Sequence, residues 1–180
     1  MSRPPRAKES VLDAYESLLV AEGGRGATME AVAAEAGVSK GGLLYHYASK
    51  DALEGALLDR LHHLVELDIE EMLADPDGII AAFVRSSQMT DTPLDRAIVA
   101  TSRLAQGGHT SASAALRLVR ERWEDVLRPH TRDETALQLV LLVSDGLYFN
   151  NALATGAVPG PLPQGDELDA LVALVERSVR

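Results

Sequence analysis

Residues 28–53, TMEAVAAEAGVSKGGLLYHYASKDAL, restrict this chain more than any other stretch: two short helices must meet at a glycine turn. Thr28 has the side chain of a helix N-cap, and Glu30 puts a negative charge in the first turn, where the helix dipole favours it. Met29, Val32, Ala33 and Ala36 recur three and four apart and so share one face. Gly37 can take the left-handed conformation that ends such a helix. Val38 is the apolar residue of the turn, and Ser39 can cap a second helix from Lys40 to about Tyr47. Ser49 with Asp51 opens a third, much longer helix. Helix, glycine turn and helix in this order make a helix-turn-helix. Two helices this short cannot bury a core alone. A first helix from about Ala7 to Ala21, with Val11, Leu12, Tyr15, Leu18 and Leu19 on one stripe, is expected to pack across them.

The same stretch resembles the DNA-binding part of TetR-family bacterial repressors. The resemblance is carried by Thr28, Val32, Ala33, the run Ala36-Gly37-Val38-Ser39-Lys40-Gly41, Leu43, Tyr45-His46-Tyr47, Ser49-Lys50 and Leu53, about the first third of the chain. Gly42 departs from it, standing where Thr or Ser is frequent, and Leu44 replaces an aromatic. The resemblance implies a homodimeric regulator that places two recognition helices in successive major grooves of a palindromic operator and is released by a small molecule. Thr28, Tyr45, His46 and Lys50 match positions that bind phosphate. Such contacts position a protein and carry little sequence information. Ser39, Lys40, Gly41, Gly42 and Leu44 complete the expected DNA-binding set. Lys40 can donate to guanine O6 or N7, Gly41 lets the backbone come close, and Leu44 can touch a thymine methyl. Leu43 and Tyr47 are expected to face inward.

Composition agrees with an all-α chain. Only 4% of the residues are aromatic, and strand-like alternation is absent. The absence of cysteine excludes a disulfide framework and a thiolate metal site. No apolar run reaches the ~18 residues of a membrane span, and the N-terminus lacks a secretory core, so a cytoplasmic protein is expected. The net charge of −10 looks wrong for a DNA binder until it is divided. Residues 1–50 hold six basic and six acidic residues, and the remainder eleven and twenty-one, so the whole excess lies after residue 50. With a Debye length of about 8 Å, an acidic body leaves a neutral N-terminal surface fairly independent. Arg3, Arg6 and Lys8 in the polar first residues can follow a phosphate backbone or remain a solvated tail.

The remaining pattern predicts a long helix from about Lys50 to Ala74, broken at Asp75-Pro76-Asp77-Gly78. Further helices are expected over about 78–88, 94–105, 111–127, 132–154 and 166–179, with a Pro- and Gly-rich loop from Gly156 to Gly165. Residues 1–49 then form a DNA-binding domain, and residues 50–180 an effector-binding and dimerisation domain. Met72, Phe83, Met89, Arg103, Trp123, Tyr148, Phe149 and Asn151 are candidates to line an apolar cavity for an aromatic or amphipathic effector, with a plain packed core as the alternative. Val140, Leu141, Val143, Leu147, Leu171, Leu174 and Val175 are expected at a four-helix dimer interface. A competing reading uses the helical spacing of His62, His63, Glu66 and Glu70 for a metal site or an enzyme, although adjacent histidines point roughly 100° apart. His109 and His130 show no catalytic constellation, and neither an enzyme nor a cofactor is expected.

Overall fold

A computed structural model of the chain describes residues 4–152 and 162–180. Among them there are nine α-helices and no strand: α1 (Pro4–Gly26), α2 (Met29–Glu35), α3 (Lys40–His46), α4 (Lys50–Ala74), α5 (Ile79–Ser86), α6 (Pro93–Gln106), α7 (Thr110–Leu127), α8 (Glu134–Ala152) and α9 (Asp166–Val179). The predicted Gly156–Gly165 loop lies outside the described residues as far as residue 161, as do Arg3 and the side chain of Arg6. No helix of the described residues is long and apolar enough to cross a membrane.

Most boundaries follow the local signals. The first helix is the main correction: it runs beyond 7–21 at both ends, so the residues from Pro4 onward are not a free tail. Proline is tolerated in a first turn, whose amides have no intrahelical partner. At the far end Gly23 takes φ 71°, and the chain kinks and continues to Gly26 instead of stopping. Helix α6 starts on Pro93 inside a reciprocal capping box: Asp95 N donates to Thr92 Oγ1 (3.1 Å), and Thr92 N donates to Asp95 Oδ2 (2.9 Å). Helix α8 begins at Glu134, two residues later than predicted. Asp133 Oδ1 accepts from Ala136 N there, while Arg132 N donates to the Val179 carbonyl (2.8 Å) at the end of α9.

The contacts divide the chain into two compact units. The first comprises residues 1–65 and 91–119, so α6 and the start of α7 belong with the helix-turn-helix. Its core joins Val11, Tyr15 and Leu19 of α1 to Val32, Leu43, Tyr47, Leu53, Leu57, Ala100, Leu104 and Ala112. As expected, α1 packs across the short pair, but α6 packs on α1 as well. Ion pairs reinforce this arrangement. The largely buried Arg60 of α4 meets Glu9 (2.9 Å), Asp13 (2.8 Å) and Glu16 (3.2 Å) of α1. Glu16 also faces Arg96 of α6 at 3.4 Å. Burial pushes the Glu16 carboxyl above its usual range, and Arg60 and Arg96 oppose that shift. On another face the buried carboxylate of Glu54 accepts from Ser111 Oγ and lies 2.7 Å from His109 Nδ1, which ties α4 to the turn before α7.

The second unit comprises residues 66–90 and 120–180. Ile69, Met72, Ile80, Phe83, Val84, Leu137, Val140, Leu141, Leu147, Val172 and Val175 are buried in it. Arg122 grips Glu66 with two hydrogen bonds (2.8 and 2.7 Å), and Ser87 and Ser144 share a buried hydroxyl contact. The interface residues named from sequence therefore separate. Val140, Leu141, Leu147 and Val175 fill the chain's own core, because their register turns them inward. The exposed apolar side chains of α8 are instead Leu139, Leu142 and Phe149, with Leu174 on α9.

Candidate nucleic-acid interface

The helix pair is fixed from both sides of its turn. Thr28 Oγ1 accepts from Ala31 N (3.1 Å) and caps α2. Gly37 takes φ 66°, and Val38 N reaches back to the Ala33 carbonyl (2.9 Å), so α2 ends in a left-handed turn that a side chain would strain. Ser39 Oγ accepts from Gly42 N (3.0 Å) and starts α3 at once. Caps of this kind are each worth about 1 kcal/mol. Leu43 and Tyr47 are buried, as expected, which fixes the rotation of α3 about its axis.

That rotation decides which side chains reach solvent. Tyr45 is 84% exposed, and Lys40, Gly41 and Leu44 are also exposed. His46 is half-buried, with its ring edge-on to Tyr45 at 5.2 Å. Thr28 and Ser39 spend their hydroxyls as caps, so each lies at a helix start beside free backbone amides. Gly42 packs closely: an added Cβ would stand 3.3 Å from Ser39 Oγ, in the space that the cap occupies. Lys50 is half-buried and does not simply point outward. Its Nζ donates to the Gly24 carbonyl at 2.7 Å, closing the end of α1 against the start of α4.

One contact escaped sequence reasoning. Lys40 Nζ donates to Glu30 Oε1 at 2.5 Å, joining the first residue of α3 to the first turn of α2. The two residues are ten apart across a turn, a spacing that no helical periodicity marks. From sequence alone Glu30 only suits the helix dipole.

The candidate effector residues are distributed unevenly. Met72, Phe83, Met89, Trp123, Tyr148, Phe149 and Asn151 belong to the second unit, and the exposed Arg103 to the first. Phe83 and Trp123 meet edge-on with ring centroids 5.8 Å apart, and Trp123 Nε1 donates to Asp68 Oδ2 (3.1 Å). Met72 and Phe83 are buried, whereas Phe149 is exposed. Asn151 Nδ2 donates to the Leu147 carbonyl of its own helix (2.9 Å). The metal reading built on His62, His63, Glu66 and Glu70 is not supported. Arg122 already engages both carboxylate oxygens of Glu66, and no group of three or more such ligands among the described residues could hold an ion.

Comparison with known proteins agrees with this geometry. Residues 11–57 match the family described as "Bacterial regulatory proteins, tetR family". No curated protein sequence gives a match. Among solved structures, Salmonella enterica GusR is 16% identical, with 99% of this chain and 98% of that one covered and a TM-score of 0.70. A member of the TetR family from Streptomyces coelicolor A3 is 22% identical, with 98% and 99% covered and a TM-score of 0.68. The multidrug binding protein EbrR, solved with malachite green, is 20% identical, with 98% and 99% covered and a TM-score of 0.68.

A capped helix pair with an exposed second helix, carried on an all-helical chain, defines a DNA-binding transcriptional regulator. Residues 11–57 carry the match to the DNA-binding region of TetR-family bacterial regulators, and the fold of the chain is similar to that of solved members of the family.

Proposed function

We propose that the protein is a cytoplasmic transcriptional repressor that binds a palindromic operator as a homodimer and leaves it when a small molecule binds. The observation that carries the reading is the exposed surface of α3, where Lys40, Leu44 and Tyr45 stand out from a helix locked by Leu43. Lys40, Gly41 and Leu44 face base edges. Thr28, Ser39, Gly42, Tyr45, His46 and Lys50 face or support contacts with phosphate. Residues 1–49 supply the reading head, and residues 50–180 respond to the effector and pair the subunits. Selecting bound duplexes from a random-sequence pool tests this. Recovered sequences should share an inverted repeat with half-sites about one helical turn apart. A pool that emerges with no common sequence refutes operator recognition.

The effector is an aromatic or amphipathic compound held near Trp123 in the second unit. The Phe83–Trp123 ring pair supports this, as does the structural neighbour EbrR, solved in complex with malachite green, which serves as a first probe. Because α4 is one continuous helix from Lys50 to Ala74, a ligand that displaces its second half moves Lys50 too. Such a ligand shifts the equilibrium only by its differential affinity for the two states. Binding should change Trp123 emission and stabilise the protein by about 2.7 kcal/mol at a hundredfold excess over Kd. A compound that releases DNA yet leaves the emission unchanged places the effector site elsewhere.

A further inference from the structure

We propose that Glu30 is a specificity-determining residue of the DNA interface: by holding the Lys40 ammonium, it suppresses sequence-independent binding. The inference rests on the reading of α3 as the recognition helix. The ion pair spans α2 and α3 at 2.5 Å, and its side chains are 59% (Lys40) and 65% (Glu30) exposed. A surface pair of this kind adds little to stability, and the two helices are already fixed by their caps and the Gly37 turn. Its consequence is electrostatic. Lys40 is the only Lys or Arg of α3; Gly41 and Gly42 follow without side chains, and Leu43 is buried. Glu30 therefore neutralises the one lysine charge of the helix. The hydrogen bond from Lys40 in turn holds the Glu30 carboxyl below its usual range, so it stays ionised at neutral pH.

An ammonium group has three donors. While one remains on Glu30, the others can reach the neutral acceptors O6 and N7 of a guanine, and nothing is lost. A phosphate is different. Bringing it to the paired Lys40 sets a second anion beside the Glu30 carboxylate, and parting the pair sacrifices its own attraction. Base contact is compatible with the pair, and phosphate contact is not. Glu30 thus lowers affinity for DNA in general more than for the correct base.

The test compares wild type with Glu30→Gln, which keeps the shape and removes the charge. The probes are a random-sequence duplex pool and a duplex selected from that pool by the wild type. Glu30→Gln should bind the pool more tightly, with a log–log salt slope steeper by about 0.9 per subunit. For each subunit, that slope makes the gain roughly 3.5-fold larger at about 50 mM than at about 200 mM salt. Affinity for the selected duplex should rise less, so discrimination falls. Adding Lys40→Ala should erase the gain, and Glu30→Asp, which retains the charge, should behave as wild type. An unchanged slope on the pool, or equal gains on both probes, overturns the proposal. If wild type itself shows no salt-dependent DNA binding, the recognition-helix reading fails with it. Binding by wild type with no effect of Glu30→Gln overturns the role of Glu30 alone.

Discussion

Replacing Lys40 and Tyr45 together by alanine should remove sequence-specific DNA binding and leave the fold intact. Both side chains stand in solvent, and Tyr45, although aromatic, contributes nothing to the core. The loss is therefore one of contact and not of stability. A lysine–guanine contact is worth about 1–3 kcal/mol of discrimination. In a two-fold complex each substitution acts twice, so even the lower bound predicts a loss of roughly thirtyfold from Lys40 alone. The salt slope should change little, because Lys40 meets neutral base acceptors while its charge is held by Glu30. Lys40→Ala should also relax preference at one base position per half-site. Lys50→Ala should weaken all sequences alike, but it also frees the Gly24 carbonyl, so its melting temperature must be measured beside its affinity. Unchanged gel-shift binding by a folded Lys40→Ala, Tyr45→Ala protein would refute the assignment of α3.

The second large effect concerns assembly. Leu142→Glu combined with Leu174→Glu should convert the proposed homodimer into folded monomers. On α8, Leu139, Leu142, Gly146 and Phe149 are spaced three, four and three apart and form one stripe. Leu142 is 65% exposed in the single chain, Phe149 and Leu174 are also exposed, and a Cβ at Gly146 would meet nothing. An apolar stripe with a glycine at its middle admits a close partner. Burying one leucine is worth about 1.5–3 kcal/mol, and an isologous interface counts each twice. Two leucines then account for about 6 kcal/mol at the lower value, some four orders of magnitude in the dissociation constant. The glutamates add like charges across the two-fold axis. Sedimentation should show monomers that melt cooperatively and have lost operator binding. Leu141→Glu is not an equivalent test, because Leu141 is fully buried in its own chain and its replacement would unfold the second unit. A double variant that remains dimeric would move the interface off α8 and α9.

What the sequence determined by itself is local. Thr28, Gly37, Ser39 and Ser49 act within three or four residues of themselves, and the structure uses each cap or turn as its chemistry dictates. The bounds of α4 and α9 follow in the same way, because breakers and caps need no partner elsewhere in the chain. The family-specific run from Gly37 to Lys50 made the kind of protein legible for the same reason: its residues are contiguous. Tertiary structure decided the rest. The apolar stripe of α8 is wider than one face, and periodicity could not tell Leu141, turned inward, from Leu142, turned outward; only packing against α5 and α9 chose between them. Sequence spacing likewise gave no sign that α6 packs on α1, that Arg60 gathers three carboxylates of α1, or that Lys50 serves the Gly24 carbonyl. The Glu30–Lys40 pair is the smallest example. Each residue suited its own helix, and only the turn between the helices set one charge on the other.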